Sequence, residues 1–225
     1  TKHVDTNGEF VGNMGNTYDS DKTLYAYWIP ETYTVTYNPS DGSVSPTSQT
    51  LDYTTTSTSL PTPTKSGNTF NGWYMNFNGS TSVNLGRAYM FTDAISIHMR
   101  AYMDNWTNYS SGDMRLISCT EGGGYKIEPT STDGNGYIQF AGYDSGVGYK
   151  VATASKKWSE LSSGWHTFDY VFDGTYLHGY VDGVEIATSA AYTTNKLGYN
   201  GSNTLWLGAE ATSSNSSPGG SYFNG

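Results

Sequence analysis

The polar loop DNWTNYSSGD, residues 104–113, combines residue types that bind sugars. Trp106 and Tyr109 can stack on the apolar face of a sugar ring, while the Asn105 side chain can hydrogen-bond to its hydroxyl groups. A second interpretation is open, in which Trp106 closes one end of the domain core as a buried plug. A further flexible loop with exposed rings is predicted at YDSGVGYK, residues 143–150. Loop 104–113 is the candidate ligand-binding segment.

The carboxylates and histidines form no catalytic pattern. Glycoside hydrolases hold two carboxylates about 5–9 Å apart in one cleft, and no Glu-x-Asp-x-x-Glu run that would pair them on one strand is present. Asp182 and Glu185 are close in sequence, but Asp182 belongs to an Asp-Gly turn, which predicts an architectural role. The four histidines are scattered, and His166 is predicted to pack or bond locally. With no zinc spacing, nucleophile elbow or phosphate loop either, we expect a non-catalytic chain.

The composition favours short strands joined by many turns. The 225 residues include 20 tyrosines and 27 glycines, and only 14 % are charged. Tyrosine suits a strand with one wet face, since its ring is buried while its hydroxyl reaches water. A disordered chain of this length would carry more charge and fewer aromatic residues.

The formal net charge of −9 limits the partners that the chain can bind. Nucleic acids and anionic membranes both require a basic face, so we expect neither as a partner. No apolar run is long enough to span a bilayer, so we expect no membrane insertion in this segment. The net charge does not exclude neutral ligands or cations as partners.

Cys119 is the only cysteine, so it cannot form an internal disulfide or a cysteine metal cluster. In RLISCTE it alternates with apolar residues, which predicts a thiol buried in the core.

The segment GWHTFDYVFDGTYLHGYVDGVEI, residues 164–186, shows how the chain is organised. Asp173-Gly174 and Asp182-Gly183 are hairpin signals between runs of aromatic and branched residues. Alternation within the first run predicts that one face carries His166, Phe168, Tyr170 and Phe172. No segment shows a sustained helical period, so the sequence predicts an all-β fold.

The first third of the chain resembles a known surface repeat. The order YTVTYNPSDGS … LPTPTKSGNTFNGWY is similar to the Listeria–Bacteroides, or internalin B-type, repeat, and DKTLYAYW at residues 21–28 matches the end of such a unit. The resemblance implies small β-grasp-like units, with residues 1–31 as the C-terminal half of one repeat and residues 32–74 as a partial following repeat. In an alternative interpretation, Asp93 to Met103 supplies the closing strand of that second repeat.

The remainder resembles the laminin-G-like, concanavalin A-like jelly roll. The segments TDAISIHMRAYMDNW, MRLISCTEGGGYKIEP, LSSGWHTFDYVFDGTYLHGYVDGVEIATS and NTLWLGAE are similar to its successive strands. The resemblance implies a two-sheet antiparallel sandwich over residues 75–225. Family members continue after FNG into one more strand, so that last strand is expected to be missing here.

Two loops also resemble the calcium-binding pattern of pentraxins, a related jelly-roll family. The pattern places Asp113 of SGDMRLIS and Glu210 of LWLGAEATSS at ligand positions, with Asp104 and Glu121 as nearby possibilities. Calcium takes about six to eight oxygen ligands, so carbonyls or water would complete the shell. The alternative is that Asp113 and Glu210 are simply solvated loop carboxylates.

Together the two resemblances imply an extracellular fragment of a bacterial surface protein. In the leading hypothesis, the repeats form a stalk and the jelly roll is a lectin-like head for a glycan or an extracellular protein, with calcium as a possible cofactor. Two rival hypotheses are a purely structural spacer of a surface appendage and a carbohydrate-binding appendage of a larger glycoside hydrolase.

Overall fold

A computed structural model describes residues 28–52, 55, 58–87, 89–103, 114–119, 123–130, 136–200, 204–212, 218–220, 222 and 223. The chain divides into two compact units, Thr1–Trp73 and Tyr74–Gly225. The described residues form β-strands and one 3₁₀ turn, Trp158–Glu160, which confirms the all-β prediction. No helix among them is long and apolar enough to cross a membrane.

The described part of the N-terminal unit contains a small hairpin and a contact between two aromatic rings. Strand β1 (Thr32–Thr36) pairs antiparallel with β2 (Ser48–Asp52) at five positions. Tyr37 follows β1, is buried, and places its ring 5.4 Å from the ring of Trp73. Trp73 Nε1 donates to the carbonyl of Pro61, which lies in the segment after β2, at 2.9 Å.

Ten strands of the C-terminal unit lie within the described residues and form two antiparallel sheets. They are β3 (Val83–Gly86), β4 (Ile95–Met103), β5 (Ile117–Ser118), β6 (Tyr125–Pro129), β7 (Tyr137–Asp144), β8 (Gly148–Lys157), β9 (Gly164–Phe172), β10 (Leu177–Val181), β11 (Val184–Thr188) and β12 (Leu205–Leu207). The four-stranded sheet has the order β11-β10-β9-β4, and the six-stranded sheet has the order β3-β12-β5-β6-β7-β8. The predicted two-sheet sandwich is confirmed.

Strand β9 shows how alternation in the sequence builds the core. His166, Phe168, Tyr170 and Phe172 share one face, as predicted, and the structure shows all four buried, whereas the alternate positions remain at least partly exposed. The Phe168 ring stacks on the Trp158 ring at 5.4 Å. Period-2 alternation with large rings inward is the pattern of a strand that covers a core on one side only.

The six-stranded sheet supplies the opposite wall of the core. Tyr125, Ile127 and Phe140 are fully buried in the same cluster as the β9 rings. Cys119 lies among them, where the Tyr125 backbone N–H donates to its Sγ at 3.0 Å. Burial raises the pKa of the Cys119 thiol to about 12. The prediction of a buried core thiol is confirmed.

Strand β4 covers most of the segment that the sequence could also assign to the surface repeat. It pairs with β9 at nine successive positions, from Ile95 opposite Phe172 to Met103 opposite Gly164. Its residues Ala101 and Met103 join the core of the sandwich. The structure therefore incorporates β4 in the C-terminal unit.

The Asp-Gly turn between β10 and β11 is built as the sequence predicts. Asp182 and Gly183 both have positive φ, 51° and 76°. Asp182 Oδ1 accepts from the Thr167 backbone N–H at 2.9 Å, and Oδ2 lies 2.7 Å from His166 Nδ1. His166 Nε2 lies 2.8 Å from the Ser162 carbonyl, so this ring bonds locally, as expected.

The end of strand β7 is fixed by a buried carboxylate. Asp144 is fully buried, and each of its oxygens accepts a backbone and a hydroxyl hydrogen bond from Thr193 or Thr194, at 2.6–3.2 Å. Burial acts to raise the pKa of Asp144, but the bonds from Thr194 and Thr193 outweigh it and lower the pKa to about 2. Residues 143–150 are thus two strand ends joined by a short turn, not the flexible loop that was predicted.

We predict that Asp182→Ala and Gly183→Val each lower the free energy of unfolding by about 1–3 kcal/mol. The first change removes the bonds to Thr167 and His166, and the second places a branched residue at a positive φ. Urea unfolding measures both. The matched control is Val184→Ala at the exposed next position, expected within about 0.5 kcal/mol of wild type. A Gly183→Val protein as stable as wild type would contradict the architectural role.

We also predict an acid-sensitive contribution from Asp144. Its pKa is lowered from 3.8 in the unfolded chain to about 2 in the fold, so its stabilisation is complete above about pH 4 and is lost as the pH falls toward 2. Between pH 5 and pH 2, wild type should lose roughly 1–2 kcal/mol more stability than Asp144→Asn. Urea unfolding at stepped pH tests this, with the exposed Asp93→Asn as control. Parallel pH curves for wild type and Asp144→Asn would refute it.

Candidate functional site

The loop after β12 holds Glu210, one of the two predicted metal ligands. Gly208 turns the chain out of the strand with a φ of 70°. A Cβ at Gly208 would lie 2.3 Å from the Phe77 ring, so this passage requires glycine. Beyond it, the Glu210 N–H donates to the Gly220 carbonyl at 3.0 Å, and the Gly219 N–H donates to the Glu210 carbonyl at 2.9 Å. The loop is therefore closed on itself at Glu210.

Arg115 joins Glu210 to the six-stranded sheet. Its Nη2 lies 2.7 Å from Glu210 Oε1, and its Nε lies 2.9 Å from Glu128 Oε2 on β6. Lys126, two residues before Glu128 on the same strand, pairs with the other Glu128 oxygen. Arg115 and Glu128 are buried, whereas the Glu210 side chain is 24 % exposed. We call these four residues the charged cluster.

The charged cluster is balanced, with two cations and two carboxylates. Removing an ion from water costs several kcal/mol, and only close opposite charges and hydrogen bonds offset that cost. Arginine suits the central position because its rigid planar fork can hold a carboxylate at each of two nitrogens. The cluster therefore fixes Glu210 against β6.

Of the predicted site residues, Glu210 alone lies within the described residues. Asp113, the other predicted calcium ligand, lies outside them, as do Asn105, Trp106, Tyr109, Asp104 and Glu121. Arg115 follows Asp113 by two residues in the sequence, and Arg115 contacts Glu210.

The donor chemistry at Glu210 fits calcium only in part. A carboxylate oxygen is a suitable calcium ligand, but Glu210 Oε1 contacts the Arg115 guanidinium, whose charge opposes a nearby cation. Within the described ranges, no three histidine, cysteine, aspartate or glutamate side chains form a metal-binding group. A calcium ion beside Glu210 would need most of its oxygen ligands from residues outside those ranges.

Sequence reasoning did not identify Arg115 or Glu128 as part of the site. The available signal was the pair Lys126 and Glu128 in YKIEP, which places opposite charges two residues apart on one face of a strand. Its significance depends on Arg115, which reaches this face from the segment before β5. Nothing in the local pattern of DMRLIS indicates that contact.

A second polar group lies on the outer face of the four-stranded sheet. His178 Nδ1 lies 2.7 Å from Glu185 Oε1, and its Nε2 lies 3.5 Å from Asp173 Oδ2. The hydrogen bond to Glu185, opposed by partial burial, raises the pKa of His178. Hydrogen bonds from Thr188 and His178 lower the pKa of Glu185. Because both ring nitrogens contact carboxylates, this arrangement stabilises the hairpin rather than presenting a free imidazole.

We predict that Arg115→Met lowers the free energy of unfolding by about 3–5 kcal/mol, because it leaves Lys126 as the one cation beside two carboxylates of the charged cluster, Glu128 and Glu210. Adding Glu128→Gln to Arg115→Met should restore part of the loss, since it removes the excess buried negative charge. Thermal and urea unfolding measure both. The matched control is Lys157→Met, which removes a surface cation lying 5.6 Å from the Tyr137 ring and should cost about 1 kcal/mol or less. An Arg115→Met protein as stable as wild type would contradict this account of the cluster.

Comparison with solved structures finds laminin domains among the matches. Domains LG4-5 of the mouse laminin alpha1 chain match at 18 % identity and a TM-score of 0.47, covering 67 % of this chain and 38 % of that one. The LG1-3 region of the laminin alpha2 chain matches at 14 % identity and a TM-score of 0.47, covering 67 % and 29 %. The binding domain of Paraclostridial Mosquitocidal Protein 1 matches at 18 % identity and a TM-score of 0.37, covering 59 % and 37 %. The chain thus spans less than two fifths of each of these three.

Two family models match the sequence, whereas no curated protein matches it. The Listeria-Bacteroides repeat domain matches residues 33–98, so its match extends into β4. The concanavalin A-like lectin/glucanases superfamily matches residues 77–225, about two thirds of the chain. These are the two families that the sequence resembles, and the strands of the sandwich lie within the second match. The chain belongs to the concanavalin A-like lectin/glucanases superfamily.

Proposed function

We propose that this chain is a non-catalytic part of an extracellular bacterial surface protein, and that its sandwich is a glycan-recognition head. The observation that carries the proposal is the Arg115–Glu210 ion pair. Arg115 lies just after the predicted sugar-binding loop 104–113, and Glu210 lies in the loop after β12. The ion pair supports a single binding edge to which both segments contribute.

The chemistry proposed for this edge combines stacking with a cation. Trp106 and Tyr109 stack on a sugar ring, and Asn105 hydrogen-bonds to its hydroxyl groups. Calcium is held by Asp113 and Glu210, together with carbonyl or water oxygens. Affinity for calcium is weak, in the millimolar range seen in extracellular modules, because Arg115 already neutralises part of the Glu210 charge.

Non-catalytic binding is supported by the environment of the described carboxylates in the charged cluster. Glu128 is buried and contacts two cations, Arg115 and Lys126, and Glu210 contacts Arg115. An inverting or retaining hydrolase needs two carboxyl groups that both reach the sugar. Glu128 is only 4 % exposed, which leaves it poorly placed for that role.

A role as spacer is the second candidate, and it concerns the N-terminal unit. The repeat match at residues 33–98 favours it, because repeats of this kind stack along a chain. In the proposed arrangement, the N-terminal unit belongs to a stalk and the sandwich to the head. A spacer without recognition predicts that no glycan binds anywhere on the chain.

The test is a calcium-dependent melt combined with a glycan array. With a Kd near 1 mM, 10 mM calcium should stabilise the fold by about 1.4 kcal/mol, or roughly 3–6 °C in Tm, and EDTA should reverse the rise. Asp113→Ala with Glu210→Ala should abolish this shift, although Tm itself falls because Arg115 loses a partner. The matched control is Asp41→Ala with Asp93→Ala, which removes two exposed carboxylates elsewhere and should keep the shift.

The array is probed in calcium and in EDTA, and the glycans that bind are then assayed for new reducing ends. Binding that requires calcium, together with intact glycans, supports the proposal. Identical melts in calcium and EDTA would remove calcium from it. If no glycan on the array binds, the result would favour the role as spacer. Release of reducing ends that disappears on substitution of one Asp or Glu would refute the non-catalytic assignment.

A further inference from the structure

Three exposed rings cluster on the outer face of the four-stranded sheet. Tyr102 on β4 lies directly opposite Trp165 on β9, with ring centroids 5.5 Å apart and planes at 76°. Tyr74 contacts the same indole at 5.9 Å and 77°. Trp165 is 42 % exposed and Tyr74 is 67 % exposed. Exposed aromatic side chains are normal singly, but clustered ones mark interaction sites.

An arginine completes this group of rings. The guanidinium of Arg100, two residues before Tyr102 on β4, lies 4.9 Å from the Trp165 ring centroid. Within the described residues, no carboxylate forms an ion pair with Arg100, whereas the neighbouring outward residue His98 is paired with Asp169. Arg100 therefore presents a positive charge over an indole, in a chain whose net charge is −9.

We propose that Tyr74, Arg100, Tyr102 and Trp165, the aromatic–arginine patch, bind an acidic glycan. A sugar ring stacks on the exposed rings, and the sugar carboxylate pairs with the Arg100 guanidinium. This goes beyond the proposed function, because the patch lies on the four-stranded sheet, whereas Glu210 follows β12 of the six-stranded sheet. It is a second binding surface that needs no calcium.

The charge of Arg100 indicates which class of ligand fits the aromatic–arginine patch. A neutral sugar would use the rings but leave the guanidinium without a counter-charge, whereas a carboxylate can accept two parallel N–H bonds from its planar fork. A nucleic-acid duplex also carries anions, but at about one charge per 1.7 Å of its axis. The net charge of −9 repels a polyanion of that density more strongly than a glycan with at most one carboxylate per sugar. The Tyr102 and Trp165 rings stand on paired strands rather than on a loop, so little conformational entropy is lost when a sugar stacks on them.

The rigidity of the patch follows from the sheet beneath it. Ala101 and Met103, the inward neighbours of Arg100 and Tyr102, are buried in the core. Pairing of β4 with β9 continues through the whole patch, from Arg100 opposite Thr167 to Met103 opposite Gly164. The backbone beneath Arg100, Tyr102 and Trp165 is therefore held in place before a ligand arrives.

The test is titration calorimetry in EDTA, which removes calcium and so prevents calcium-dependent binding at the proposed Asp113–Glu210 site. The probes are an oligogalacturonide and sialyllactose, which separate uronic from sialic acids, with methyl-esterified oligogalacturonide and lactose as neutral counterparts. We expect at least one acidic probe to bind about tenfold more tightly than its neutral counterpart. Arg100→Gln should abolish that preference, and Trp165→Ala should weaken binding of both forms.

The matched control is Lys157→Gln, which removes the β8 cation beside the exposed Tyr137 ring of β7 and should leave binding unchanged. Unchanged melting curves establish that each variant is folded, and Arg100→Gln tests the proposal even if Trp165→Ala unfolds. Binding should persist in the double variant Asp113→Ala with Glu210→Ala. This variant lacks the proposed calcium ligands, so persistence shows that the patch binds independently of them. Equal affinity for acidic and neutral probes, no binding at millimolar concentration, or self-association that Trp165→Ala abolishes would each overturn the proposal.

Discussion

The close approach of the two sheets is the constraint on which the sandwich depends. A Cβ at Gly179 of β10 would lie 2.2 Å from the ring of Phe140 on β7. In the same way, a Cβ at Gly142 of β7 would lie 2.4 Å from the hydroxyl of Tyr170 on β9. Each sheet thus omits a side chain where a ring of the other sheet enters. Packing of this density leaves no room for an extra methyl group without rearrangement.

This packing commits alternate positions of each strand to the core and leaves the others for different purposes. On the four-stranded sheet the outward positions carry exposed rings and charges, including Trp165 and Arg100. On the six-stranded sheet the outward position of Glu128 is itself buried. The loop after β12 contributes to that covering, since Ala209 and Ala211 are fully buried and Glu210 pairs with Arg115. The two outer faces therefore differ in solvent access although the strands alternate in the same way.

Membership of the superfamily accounts for the packing of the core, but it does not determine which ligand the chain binds. Turns such as Asp182-Gly183 and inward rings such as Phe168 are requirements of the architecture, so any chain with this fold needs equivalents of them. Binding chemistry depends on the outward positions and loops, which the fold leaves free to vary. The same jelly roll accommodates different ligands because the groups that recognise them lie outside the packing constraint.

The sequence alone determined the all-β class, the set of β9 side chains that share a face, the Asp-Gly turns and the buried state of Cys119. Each depends on residues near one another in the chain, through period-2 alternation or turn chemistry, so each can be deduced locally. The tertiary structure alone decided that Arg115 joins Glu128 to Glu210, that Asp144 is buried under Thr193 and Thr194, and that Arg100 lies over Trp165. These contacts join residues 13 to 95 positions apart, and strand pairing and loop closure set them rather than any local pattern.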